Sequence, residues 1–213
     1  MKQILLTLIG VLVIFFIPHF SFLPIPFFYA IPVLLITWLL LKVNGDNFST
    51  IGFSFRRFKP DAILAGAIIA MLLFIFLNYF FFPALNKLIR LPQTNLNDFK
   101  SVRHNPGMYI FILFMGWLIG GFYEEIVFHG FIFRRIEQMS KRKSMMIISL
   151  ITTNIIFGIY HFQLGWPGMI NAFIAGIVYN LVMIKFKRNL WYSIFVHGFF
   201  DTIGLTYIYL GYW

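Results

Sequence analysis

Apolar positions in this chain come in long runs, and charged positions gather in the gaps between them. No Asp, Glu, Lys or Arg occurs from Ile4 to Leu41, from Ala62 to Asn86 or from Ser144 to Ile184. A helix of roughly 20 apolar residues crosses the ~30 Å hydrocarbon core of a bilayer. Helices suit such runs because each satisfies its own backbone hydrogen bonds in lipid. The runs and their breaks predict seven spans, at 4–22, 25–42, 61–82, 107–134, 144–161, 167–185 and 190–210. Breaks are expected at Pro18 and Pro24, Asn44-Gly45-Asp46, Pro83, Pro92, Lys141-Arg142-Lys143, Gly165-Trp166-Pro167 and Lys187-Arg188-Asn189. The expected fold is all-α: a polytopic transmembrane helix bundle enclosing a polar intramembrane cavity. Residues 1–60 read as an N-terminal transmembrane hairpin with its cytoplasmic loop, and 61–213 as the main bundle.

Composition sharpens this picture. Of the 213 residues, 60% are hydrophobic and 11% charged, against about 25% charged in a soluble domain. There is no cysteine, which excludes disulfides, thiolate metal sites and a cysteine nucleophile. The net charge of +10 comes from Lys and Arg in the loops, where it orients the chain and meets anionic lipid rather than nucleic acid. Thirteen of the 17 basic residues fall on one side of the predicted spans; Lys87, Arg90, Lys100 and Arg103 fall on the other. By the positive-inside rule the N-terminus is cytoplasmic and the C-terminus outside. Residues 4–17 resemble a signal peptide in hydropathy, but the charged start is a single lysine, no small-x-small cleavage site precedes Pro18, and a second span follows. The segment reads as a retained helix. Trp166, Trp191, Tyr212 and Trp213 sit near span ends as interfacial anchors.

Seven acidic residues occur in the chain, and three of them, Glu124, Glu125 and Asp201, lie inside predicted spans. So do His129, His161 and His197. An ionised group at mid-span costs about 2.5–3.5 kcal/mol on insertion scales, so such residues mark function or tight mutual pairing. Glu125 and His129 are four apart and share a helix face, as do His197 and Asp201. Glu124 is turned about 100° from Glu125. Asn154 and His161 are seven apart, two turns on one face. Three helices can therefore aim carboxylates and imidazoles at one cavity. That set permits hydrolysis, with a buried carboxylate taking a proton from water and an imidazole holding or relaying it. The same donors suit a divalent metal such as zinc, and the residues alone leave both open. No HExxH motif is present. Taken singly, each histidine also reads as an ordinary interhelical hydrogen-bonding residue.

In order, these residues form three motifs. The run from Tyr123-Glu124-Glu125 to His129-Gly130 resembles the Glu-Glu-x-x-x-Arg motif of the CPBP family, the CAAX-processing and bacteriocin-processing (Abi) membrane peptidases. Phe157-Gly158-Ile159-Tyr160-His161 resembles its Phe-x-x-x-His motif, and His197-Gly198-Phe199-Phe200-Asp201 its His-x-x-x-Asn/Asp motif. The resemblance covers about 107–205. It implies an intramembrane endopeptidase acting on a membrane-bound or lipophilic peptide or protein, CAAX-type or related to bacteriocins and pheromones. Glu124 would activate water with His161; Glu125 belongs to the same catalytic set; His197 and Asp201 would hold the oxyanion. If a metal takes part, Glu124, His161, His197 and Asp201 are its implied ligands. The chain departs from the pattern at His129, which stands where the family has an arginine that orients glutamate or binds substrate. This departure favours the alternative of a non-catalytic immunity or scaffold protein of the same fold. A proton-coupled transporter also needs buried carboxylates, but no repeat relates two halves of the chain. Counting from the span ends, Glu124 sits ~15 Å along its helix from Arg134 and His161 ~25 Å from Ser144. Tilt, or a fifth helix starting below the membrane surface, is expected to bring them level.

Overall fold

The computed structural model of the chain describes residues 2–19 and 27–212. Taking unbroken helical stretches together, the described residues hold seven helices and no strand: α1 (Lys2–Phe16), α2 (Ala30–Val43), α3 (Asp61–Ile89), α4 (Pro106–Glu137), α5 (Met145–Tyr160), α6 (Gly165–Lys185) and α7 (Leu190–Leu210). By length and composition α3, α4 and α6 (with the turn that leads into it) are long and apolar enough to cross a membrane, and α1, α2 and α5 are shorter apolar helices. The fold is the expected all-α membrane bundle. Leucines, isoleucines and phenylalanines stand exposed along α1, α2 and α3, as a lipid-facing surface requires. The expected break at Pro24 and the facing ends of the first two spans lie outside the described residues, as does Trp213.

Two boundaries differ from expectation. Pro83 does not end α3; the helix runs on to Ile89. Just before the proline, Phe76–Phe81 is wound as a π-helix. A proline ring clashes with the carbonyl one turn earlier and lacks an N–H to donate, and a wider turn ahead of it relieves both problems. The α5–α6 connection is also tighter than expected. Phe162–Leu164 forms a 3-10 turn, Gly165 takes a left-handed φ of 73°, and Pro167 falls in the first turn of α6, where its missing N–H costs nothing.

Helix α7 is the spine, packed against α3, α4 and α6, while α5 lies on α6. Small residues allow the approach. A Cβ on Gly66 of α3 would overlap Phe195 Cβ and come within 2.8 Å of the Phe195 backbone. One end of the bundle is tied by polar contacts. Arg57 donates to the carbonyls of Arg188 (3.0 Å) and Lys187, and Asn189 Nδ2 donates to Arg57 O at 2.8 Å. Glu137 accepts from Arg134 at 2.6 Å and also pairs with Arg188, and Arg135 meets Asp46 at 2.9 Å. At the other end, the segment between α3 and α4 is held by Asn95, whose N–H and Nδ2 each donate at 3.0 Å to Leu164 O and Gln163 O.

The close α3–α7 contact yields a stability test. Gly66→Leu is expected to cost about 1–3 kcal/mol by overpacking. Leu64→Ala, at a lipid-facing position 66% exposed, should fall within about 0.5 kcal/mol of the parent. Thermal unfolding of both variants in one detergent checks the contrast.

Candidate active site

Both motif glutamates ride on a wide stretch of α4. From Trp117 to Ile132 the helix is π-wound, and the N–H of Phe133 reaches the carbonyl of Phe128, five residues back. The sequence led to an α-helical turn here. Such π segments are rare and gather at functional sites. The wider turn still lets Glu125 meet His129: Nδ1 of the histidine stands 2.9 Å from Oε1 of the glutamate, both side chains having no exposure. Oε1 also accepts from His197 Nδ1–H at 3.0 Å. Glu125 is thereby clasped between two imidazoles, behind His197 as seen from the cavity. Its other oxygen, Oε2, is buried with no hydrogen-bond partner among the described residues.

The second face of His129 looks to Asn154 Oδ1 at 3.3 Å. Asn154 Nδ2 in turn donates to Asn180 Oδ1 at 2.9 Å and to Leu150 O at 2.7 Å. Asn154 thus joins α4, α5 and α6 rather than entering the cavity beside His161. Where the family pattern has arginine, His129 offers two ring nitrogens that each face an oxygen. Gly176 of α6 makes room for this pair, since a Cβ there would overlap Asn154 Oδ1 and stand 3.1 Å from His129 Nε2.

His161 follows the last residue of α5, its N–H bonded to Gly158 O at 3.1 Å. Its Nδ1–H donates to Phe157 O at 2.8 Å. A carbonyl can only accept, so in the neutral ring the proton sits on Nδ1 and the Nε2 lone pair is free. Nε2 points at Glu124 Oε2, 3.8 Å away. His197 is set in the same sense, with Nδ1–H on Glu125 and Nε2 facing Glu124 Oε2 at 3.9 Å and Asp201 Oδ2 at 3.6 Å. Asp201 is the most exposed of the group, at 30% of its side chain. A Cβ on Gly120 of α4 would overlap Asp201 Oδ2 and lie 3.2 Å from His197 Nε2, so a side chain there would displace the Asp201 carboxylate. Rings fill the remaining space. Tyr179 stacks on His197 at 4.5 Å, and Phe157 lies edge-on to His161, His129 and His197 at 4.6, 4.9 and 6.0 Å.

All five expected catalytic residues therefore come together, with Glu124, His161, His197 and Asp201 facing one another and Glu125 one layer behind. Helix α4 runs three residues past Arg134, to Glu137. Among the described residues no group of three or more His, Asp or Glu is arranged to hold a metal ion. The four facing groups do not, as they stand, form such a site.

Three neighbours escaped the sequence reading. His19 bridges to the His161 turn: Nε2 is 3.1 Å from Tyr160 O, Nδ1 is 2.8 Å from Phe15 O, and the ring stacks on Phe162 at 4.8 Å. Its signal was a histidine inside the charge-free run from Ile4 to Leu41. Asn180 and Tyr179 were polar groups within the sixth span with no motif to flag them.

Residues 106–203 match a family model described as Type II CAAX prenyl endopeptidase Rce1-like. The match takes in all five clustered acids and histidines named above. No curated protein and no solved structure matches the chain.

The two glutamates should differ in what they do for folding. Glu125→Ala removes the carboxylate that accepts from His197 and pairs with His129, and is expected to cost about 3–5 kcal/mol, the scale of a broken buried pair. Glu124→Ala, which faces the cavity with contacts of 3.8 and 3.9 Å only, should cost under about 1 kcal/mol. Melting of the two variants, measured side by side, tests the assignment.

Proposed function

We propose that this chain, whose residues 106–203 belong to the Type II CAAX prenyl endopeptidase Rce1-like family, is an intramembrane endopeptidase in which Glu124 and His161 activate water to cut a membrane-anchored peptide of CAAX type. One observation carries the reading: Oε2 of Glu124 is faced by the Nε2 atoms of two histidines, His161 at 3.8 Å and His197 at 3.9 Å. Those separations are too long for direct hydrogen bonds and are of the length that a water bridges.

The water between Glu124 and His161 gives a proton to Glu124 as its oxygen attacks the scissile carbonyl carbon. The carbonyl oxygen takes up the negative charge beside His197 and Asp201. A carboxylate cannot donate to an oxyanion, so the donor there is the Nε2–H of His197 in its doubly protonated form, or Asp201 when it carries a proton. Collapse of the tetrahedral adduct breaks the C–N bond, and the proton held by Glu124 goes to the leaving amine. Glu125 acts through His197, fixing its Nδ1–H and hence the direction of Nε2, so it is a positioning residue. His129 does for Glu125 what arginine does in the family pattern, in part, by facing its Oε1. No step here runs through a metal. The bias of basic residues orients the chain with its N-terminus in the cytoplasm.

The test is cleavage of a prenylated peptide by the reconstituted protein. Glu124→Ala and His161→Ala should each lower kcat by about 10²-fold or more, while 1,10-phenanthroline leaves the native rate unchanged. Loss with chelator and recovery with zinc would instead assign the four facing groups to a metal. No cleavage by folded, inserted protein would favour a non-catalytic immunity or scaffold role.

A further inference from the structure

One cavity lies apart from the clustered acids and histidines. About 960 Å³ in volume, it lies between the end of α3, the 91–103 segment and the start of α6. That is ample for a ligand, since small-molecule pockets run from about 300 to 1,000 Å³. Part of its wall is polar. Asn78, Asn86, Gln93 and Asn171 contribute amide groups, Lys100 and Arg103 contribute positive charge, and no acidic residue lines it. Among the described residues the side chains of Asn86, Gln93, Asn171, Lys100 and Arg103 form no hydrogen bond or ion pair to one another or to their surroundings.

The cavity is joined to the catalytic turn. Leu164, three residues past His161, is part of its wall, as is Pro167. Asn95, also in the wall, makes the two hydrogen bonds to Gln163 and Leu164 already described. The structure therefore sets a polar, cationic chamber against the strand of chain that carries His161.

We propose that this chamber is a binding site for a peptide segment bearing a carboxylate, the polar part of the substrate whose scissile bond reaches Glu124; the inference rests on the peptidase reading. Side-chain amides offer both donors and acceptors, which match the N–H and C=O groups of a peptide backbone. A phosphate headgroup presents acceptors only and would leave the oxygens of Asn78, Asn86, Gln93 and Asn171 unmatched. Lys100 and Arg103 supply the charge that selects a carboxylate, at a C-terminus or on an acidic side chain.

The experiment uses the full chain in nanodiscs of neutral phosphatidylcholine, with Glu124→Ala to prevent turnover. Fluorescein-labelled octapeptides of mixed sequence are made in two sets, one with two Glu residues and a free C-terminus, the other with Gln and a C-terminal amide. Anisotropy should show the acidic set binding at least 5-fold tighter. The Lys100→Ala/Arg103→Ala pair should erase that preference, and Lys100→Arg/Arg103→Lys should retain it. Both positions are exposed, and unchanged thermal unfolding certifies the fold of each variant. Equal binding of the two sets, no binding of either, or a preference that survives in the alanine pair would overturn the proposal. So would a Lys100- and Arg103-dependent response to phosphatidylglycerol in place of peptide. Native protein assayed for cleavage of prenylated versions of the same peptides reads the other hypothesis separately: selective binding without cleavage of the prenylated forms would sink the peptidase reading and leave the chamber as a peptide site.

Discussion

A carboxylate with no exposure to water must be matched by its neighbours, and Glu125 is matched by two imidazoles that share one of its oxygens. Much of the bundle's interior follows from that contact. Through His197 it fixes α7, and through His129, Asn154 and Asn180 it continues across α5 into α6. Four helices are joined by a single polar chain in surroundings that are otherwise aromatic and aliphatic. In a low-dielectric interior each such bond gains strength, and each one left unmade costs correspondingly more. The orientation of His197 toward the cavity is therefore a property of the core.

Backbone proximity works together with this polar chain. Gly120 and Gly176 stand where a single methyl group would collide with Asp201 or with Asn154. Side chains reach across these gaps because the helices approach closely at glycine, as small residues permit in membranes generally. The two glycines thus reserve the space that Asp201, Asn154 and His129 occupy. Phe157 completes the arrangement by filling the space among three histidines.

How much of this was legible in the sequence divides along physical lines. The helices were readable because lipid demands long uncharged runs, and the five clustered residues because charge inside such runs is costly. Spacing of four correctly paired Glu125 with His129 and His197 with Asp201. Sequence could not show that Glu125 turns away from the cavity, since an α-helical turn and the observed π turn place neighbouring residues differently. The persistence of α3 beyond Pro83 was hidden for the same reason: the widened turn that accommodates the proline has no compositional mark. His19 and Asn180 act through contacts with residues 141 and 26 positions away, which no local pattern encodes. That residues 91–103 form a cavity wall needed the fold.

Helix lengths around the site are unequal, and that has a consequence for the lipid. Helix α4 has 32 residues, whereas α5 has 16, about 24 Å, short of the ~30 Å of an average hydrocarbon core. The imidazole at the end of α5 and the carboxylate midway along α4 are thus mounted on elements that respond differently to membrane thickness. A thicker bilayer draws the long helix upright and leaves the short one more deeply submerged; a thinner one tilts the long helix and brings the end of the short one toward the headgroups. The bilayer itself becomes a setting on the gap between the two groups, and acyl-chain length is a variable of the site in the same sense as temperature or ionic strength is for a soluble protein.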